Sequence, residues 1–208
     1  MYIWNKVIYL KAAIILKDAN LKQFNNFYDT VIGADRGALH AIKNKIKLDI
    51  AIGDFDSVDE EELDLIKSNS NKVIELNPIK DKSDTHEAIE LVSDYDEIHI
   101  LGGIKGKRIE HLFANIIDLI NYPNASLKDE DSLIEIIKDN NYKIKTEYQF
   151  ISLYAIEESI ISLSGFKYEL NDYLLKTNDP LCLSNEIINN PKIELKKGKL
   201  LVIYSYGD

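Results

Sequence analysis

Two aspartates, two residues apart in Gly53-Asp54-Phe55-Asp56-Ser57, follow the short apolar run Ile50-Ala51-Ile52. A carboxylate at the end of a buried strand is costly unless something pairs with it or uses it. The simplest user is a hard divalent cation that also grips phosphate oxygens, since Mg²⁺ is held by one or two carboxylates together with substrate phosphates. The same segment has a plainer use: Ser57 caps the next helix with Glu60 completing a capping box, and the aspartates are solvated. The two uses are compatible, because the cap leaves both carboxylates open.

Four other segments offer related groups. Gly33-Ala34-Asp35-Arg36-Gly37-Ala38 is a small-residue turn entering a helix. It either brings backbone N–H groups to a phosphate or uses Asp35 as an ordinary N-cap. Lys80-Asp81-Lys82-Ser83-Asp84 alternates cations and carboxylates. Its lysines suit phosphate, or the segment is a helix start with Asp84 as cap and Glu87 in the capping-box position. Gly102-Gly103-Ile104-Lys105-Gly106-Lys107-Arg108 is a glycine-rich cationic turn, and Arg108 can take phosphate in bidentate fashion. Arg108, His111 and Asn115 then follow at spacings of three and four, which makes them neighbours on one helical face. Cys182-Leu183-Ser184-Asn185-Glu186 has ordinary turn chemistry.

The elements that must position these groups alternate in the first half. Strands are expected over 7–16, 30–34, 49–52, 73–76 and 97–101, with helices over 37–47, 58–68, 85–93 and 109–121. Short apolar runs alternating with amphipathic segments predict a parallel sheet covered by helices, with ligands at the C-terminal strand ends. In the last helix Ile109, Leu112, Phe113, Ile116, Ile117 and Ile120 form a wide apolar stripe, opposite Arg108, His111 and Asn115. The pattern stops near Tyr122-Pro123-Asn124, so a boundary is expected at 122–131. β-rich runs follow over 133–138, 148–156, 160–163, 192–195 and 199–205, with a terminal hairpin around Lys197-Gly198. This half is expected to be all-β, a small sandwich or a partly open barrel.

Composition bounds the partners. The chain's 208 residues carry a formal net charge of −10, which argues against nonspecific nucleic-acid binding and requires local cations or metal for an anionic substrate. Cys182 is the only cysteine, which excludes an intrachain disulfide and fits a reducing compartment. Lysines at positions 6, 11 and 17 break the apolar start, so no signal peptide is expected. No apolar run approaches the roughly 18 residues of a spanning helix, so no membrane insertion is expected, and with a single free thiol a cytoplasmic location is expected.

Taken in order, the five segments resemble the thiamine pyrophosphokinase (thiamine diphosphokinase) family. That family carries an ADGGA or ADRGA turn, GDFDS, KDxTD, a GAxGGRxDHxxxN stretch and a late SNE. They stand here at 34–38, 53–57, 80–84, 103–115 and 184–186, with GDFDS matched letter for letter. The resemblance implies an α/β N-terminal domain (1–125) with a mostly parallel Rossmann-like sheet that binds nucleotide and metal. It also implies a C-terminal all-β sandwich domain (130–208) that binds thiamine, and a homodimer with its sites between subunits. The implied reaction moves the pyrophosphoryl group of ATP to the hydroxyethyl oxygen of thiamine, giving thiamine diphosphate and AMP. By match to the motifs, Asp54, Asp56 and Asp84 would hold Mg²⁺, and these three with Arg108 would be catalytic. Asp35, Arg36, Gly37, Lys80, Lys82, Ser83, Arg108, His111 and Asn115 would bind ATP, and Ser184 and Asn185 would contact thiamine.

The chain departs from the family pattern at Glu110 (usually Asp), Lys107 (usually Gly), Ser83 (usually Thr) and Cys182 (often Gly), and no glycine precedes Gly33. There are two rival readings. One, from the loose likeness of Asp54-Phe55-Asp56-Ser57-Val58 to a DxDx(T/V) motif, is a haloacid-dehalogenase-like Mg-dependent phosphatase with Asp54 as nucleophile. The other is a catalytically weakened relative that only binds thiamine or nucleotide.

Overall fold

The computed structural model describes residues 8–207 except 23, 26, 80 and 141. Lys80 and the first residue of the expected strand over 7–16 lie outside the described residues. The chain divides into two compact units, Met1–Ile109 and Glu110–Asp208. The division falls before the expected 122–131, because the last helix goes with the second unit. No described helix is long and apolar enough to cross a membrane.

In the first unit the strands are β1 (Lys11–Ile15), β2 (Thr30–Ala34), β3 (Leu48–Gly53), β4 (Ser70–Glu75) and β5 (Glu97–Leu101). They pair in the order β4-β3-β2-β1-β5, and every pairing is parallel. Helices α1 (Arg36–Lys43), α2 (Glu60–Asn69) and α3 (Asp84–Glu90) alternate with the strands. Ala12 to Ile15 are all fully buried, so both faces of β1 are covered. That is the condition under which a continuous apolar run, rather than an alternating one, makes a strand. Ile15, Val31 and Ala51 share a buried cluster with Ala38, Leu39 and Ala41 of α1 and with Ile66 of α2.

The second unit contains α4 (Ile109–Asn121), which starts at the division, then β6 (Ala125–Lys128), β7 (Ser132–Ile137), β8 (Phe150–Phe166), β9 (Leu170–Leu175) and β10 (Asn185–Ser205). These strands pair in the order β6-β7-β10-β8-β9, all antiparallel. Several expectations change here. The runs over 148–156 and 160–163 are one strand, and so are those over 192–195 and 199–205. Lys197-Gly198 is not a hairpin turn: β10 stays paired with β8 on both sides of it, and the register shifts there instead. A bulge absorbs the extra residue where a turn would have ended the ladder. β6 and β9 were not expected, being short and, in β9, interrupted by the turn residues Asn171 and Asp172.

Helix α4 also differs from its pattern. Asn115 and Asp118 are buried, whereas Ile109, Phe113 and Ile117 are 60%, 62% and 57% exposed. Arg108 and His111 are exposed, so the three expected neighbours do not form one solvent-facing polar face. The Lys199 ammonium donates to the Ile120 carbonyl at 2.6 Å, tying the end of the helix to β10.

A half-buried polar network borders the core of the second unit. The Tyr142 hydroxyl donates to Glu135 Oε2 at 2.7 Å and shares a hydrogen bond with the Tyr204 hydroxyl at 2.8 Å. The Lys145 backbone N–H reaches the Tyr204 hydroxyl at 3.3 Å, and the Tyr148 ring packs against those of Tyr204 and Tyr206. Burial, with Glu135 beside it, pushes the Tyr142 phenol far above its ordinary range, so it remains a donor. Tyr142→Phe removes that donor and leaves the Glu135 carboxylate with the Lys145 ammonium, 3.8 Å from its other oxygen. We expect a loss of about 1–2 kcal/mol in unfolding free energy by urea denaturation, and wild-type stability would refute this role for the network.

Candidate metal and phosphate site

The C-terminal ends of β2 and β3 lie side by side, with Ala34 opposite Ile52 in register. One residue further on, the Asp35 N–H donates to the Ile52 carbonyl at 2.8 Å, so the two exit loops are hydrogen-bonded. Asp35 has φ 47 and ψ −126 and makes no side-chain cap on α1. The plain N-cap use of Asp35 is therefore not adopted. Its carboxylate instead accepts from Ser57 Oγ, at 3.1 Å to one oxygen and 3.2 Å to the other. The Arg36 guanidinium donates to the Ser57 carbonyl at 2.7 Å. Ser57 thus joins the two acidic loops and does not cap α2. The cap is Asp59, whose carboxylate accepts from the Glu62 N–H at 2.8 Å, so Glu60 completes no box.

Between the paired aspartates, Phe55 is only 5% exposed and adopts φ 53. Its ring belongs to the buried cluster, so Asp54 and Asp56 flank an anchored residue. The Asp56 N–H reaches Asp54 Oδ1 at 3.3 Å, and the Gly53 carbonyl accepts from the Leu76 N–H at 2.9 Å. One carboxylate oxygen from each of Asp35, Asp54 and Asp56 lies within 4.8 Å of the others. Three like charges so close repel unless a cation sits among them. Three convergent carboxylates are a hard-oxygen donor set that fits Mg²⁺.

Asp54 and Asp56 are together, but their third neighbour is Asp35, and Asp84 is outside the group. Asp84 is the first residue of α3, which packs against β2 and β3. The α3 cap is Ser83, whose hydroxyl accepts from the His86 N–H at 3.1 Å, so neither Asp84 nor Glu87 serves as expected. Lys82 pairs with Glu90 at 2.7 Å and holds that carboxyl below its usual range. Gly37 is buried at the start of α1, directly after Arg36.

In the second unit Ser184 is exposed and adopts φ 50, with its N–H on Ser152 Oγ at 2.9 Å. Asn185 is 4% exposed. Its amide is engaged with the backbone of Tyr168, donating at 2.7 Å and accepting at 3.0 Å. It shapes the loop rather than facing solvent. Burial pushes the Cys182 thiol up to about 11, so at neutral pH it is no nucleophile.

One residue escaped the sequence reading. Asp18, just past β1, accepts from the Gly103 N–H at 2.9 Å. The signal that would have found it is the one used for Asp35 and Asp54: a carboxylate shortly after an apolar strand.

Close approach makes Gly53 indispensable. A Cβ there would lie 2.9 Å from Asp35 Cα and 3.1 Å from Asp35 N. Gly53→Ala must therefore push the two acidic loops apart. We expect about 1–3 kcal/mol of destabilisation by denaturant titration and weaker stabilisation by added Mg²⁺ in thermal melts, and unchanged values on both counts would refute the geometry.

Comparisons with known proteins meet this arrangement. The family model described as the thiamin pyrophosphokinase catalytic domain matches residues 21–129, and the one described as its vitamin B1 binding domain matches residues 134–200. Thiamine pyrophosphokinase of Bacillus subtilis (strain 168) is 31% identical over 185 residues, covering 84% of this chain and 86% of that protein. Thiamin pyrophosphokinase 1 of Caenorhabditis elegans is 26% identical over 171 residues, covering 74% and 68%. The crystal structure of thiamine pyrophosphokinase from Bacillus subtilis superposes with a TM-score of 0.83 at 27% identity, covering 95% of this chain and 100% of that one. On these matches, the chain belongs to the thiamin pyrophosphokinase family.

Proposed function

We propose that the protein is a thiamine diphosphokinase, transferring the pyrophosphoryl group of ATP to the hydroxyethyl oxygen of thiamine. The observation that carries this reading is the convergence of Asp35, Asp54 and Asp56 at the strand rim of a chain whose halves match a thiamin pyrophosphokinase catalytic and a vitamin B1 binding domain. The thiamine oxygen forms a bond to the β-phosphorus, and the bond from that phosphorus to the α-phosphate oxygen breaks. The electron pair leaves with AMP, and the alcohol proton passes to a carboxylate. With charge spread over several phosphate oxygens, catalysis rests on positioning and electrostatics. Mg²⁺, when bound, would neutralise phosphate charge, held by Asp54 and Asp56 with Asp35 in reach and Asp84 supplied from α3.

Lys80, Lys82, Ser83, Arg108, His111 and Asn115 are proposed for the nucleotide side, with Asp35, Arg36 and Gly37 framing it. On binding, Lys82 would exchange Glu90 for phosphate. Arg36 acts through Ser57, and buried Asn115 acts from inside α4. Ser184 is proposed for thiamine, with Asn185 setting its loop, exposed Leu181 and Leu183 offering apolar surface nearby in the chain, and exposed Tyr168 brought to the loop by its backbone bonds to Asn185. A supply of ATP fits a cytoplasmic enzyme. The phosphatase reading is not favoured, because both halves of the chain match the kinase family instead.

We assign residues 1–125 to catalysis, on a Rossmann-like sheet, and 130–208 to thiamine binding. For the latter we propose a sandwich. The 17 residues of β8 would span roughly 55 Å if straight, yet Ile151 and Phe166, near its two ends, belong to one buried cluster with Ile193 to Tyr204 of β10. Folding the ladder over itself accounts for that. The stripe Ile109, Phe113 and Ile117 supports a homodimer, since exposed apolar rows of this kind mark association surfaces.

Two measurements test these proposals. A coupled AMP assay with ATP, Mg²⁺ and thiamine should show thiamine-dependent AMP formation. Asp56→Asn should lower kcat by about 100-fold or more with the melting temperature retained, as one like charge is removed from the cluster. AMP formation without thiamine, or near-normal turnover in the variant, would overturn the assignment. Sedimentation should place the wild type at the dimer mass and Phe113→Asp at the monomer mass, whereas a dimeric variant would exclude this surface.

A further inference from the structure

We propose that Asp18 is a positioning residue that holds the cationic loop 102–108 in its phosphate-receiving form; the phosphate itself rests on the pyrophosphoryl-transfer reading above. The sheet order places β1 between β2 and β5, so the chain changes direction across the sheet at β1. At such a switch point two neighbouring strand exits diverge and leave a crevice for a ligand. The β1 and β5 exits are joined there in two steps. Leu16 N–H donates to the Leu101 carbonyl at 3.0 Å, and Gly103 N–H then donates to Asp18 Oδ1 at 2.9 Å. Gly102 has φ 90, and a Cβ on it would lie 2.7 Å from that same Asp18 oxygen and 2.8 Å from Ala19 N, so the two loops interlock.

The residue after Asp18 is itself held in place. Ala19 is 5% exposed, its N–H donates to the Leu16 carbonyl at 3.2 Å, and the His40 ring of α1 sits 2.8 Å from its carbonyl. The anchor therefore runs from α1, the helix that begins beside Asp35, through the β1 exit to the loop carrying Lys105, Lys107 and Arg108. With no glycine before Gly33, the β1 exit lacks the residue that most readily lets backbone approach a phosphate closely. A carboxylate facing an anion is unfavourable by charge, so its use here is as an acceptor for one N–H. An amide oxygen can do the same.

The test compares wild type, Asp18→Ala and Asp18→Asn in steady-state kinetics with ATP and thiamine varied separately, beside thermal melts. Losing one charge-assisted hydrogen bond should raise KM for ATP about 5- to 30-fold in Asp18→Ala, with kcat, KM for thiamine and melting temperature little changed. Asp18→Asn should return KM for ATP to the wild-type value or below. An unchanged KM in Asp18→Ala, failure of Asp18→Asn to rescue, or a joint rise of both KM values with a lower melting temperature would each overturn the proposal. If the wild type forms no AMP, the reaction reading fails instead. Calorimetric titration of the same three proteins with MgATP then decides the role of Asp18, with the same order of affinities expected and equal affinities overturning it.

Discussion

The site depends on the hydrogen bonding of two adjacent strand exits. Asp35 N–H on the Ile52 carbonyl and Ser57 Oγ on the Asp35 carboxylate hold three carboxylates within 4.8 Å, against their mutual repulsion. The backbone opposes this as well, since Asp35 and Phe55 both sit at positive φ, which costs on the order of 1–3 kcal/mol each. Burial of the Phe55 ring offsets much of that, at roughly 2–3 kcal/mol for a side chain of this size. Strain collected at the loops that carry the acids, and relieved by packing beneath them, is the pattern of a preorganised site.

How much of this could be read from the sequence follows from the range of each interaction. Asp54 and Asp56 were legible because the apolar run before them and their spacing are local. Their nearness to Asp35 was legible in outline, since both loops follow strands of a parallel sheet and share its C-terminal rim, but the approach of all three carboxylates to within 4.8 Å was not, because it depends on β2 and β3 being direct neighbours. The caps show the same limit. Ser57 and Asp84 have the right residue types at the right offsets, but Ser57 is drawn away by Asp35, and Ser83 takes the cap beside Asp84. A short polar side chain near a helix start has several possible partners, and tertiary contacts choose among them.

The second half was harder to read for a related reason. Strand length is set by where pairing stops, and turn-like residues do not stop it. Lys197-Gly198 looks like a turn by residue type, yet β8 continues on the far side and the ladder absorbs the irregularity. In α4 the period was right and the orientation was not. Asn115 and Asp118 are inside while Phe113 is outside, an inversion that hydrophobic patterning cannot foresee. The five motifs, by contrast, carried the family across nearly the whole chain without depending on these details.

The burial of Phe55 couples the acids to the interior. The ring shares its cluster with Ile15, Leu39, Ala51 and Ile66, and it lies between the two aspartates in the chain. The opening between those carboxylates is thus metered by the fit of hydrocarbon beneath the sheet rim. Any change in that fit, from a methyl group added on α1 to expansion on warming, reaches the surface as a change in oxygen spacing. Discrimination between cations of different ionic radius would then be decided partly by residues that never touch one.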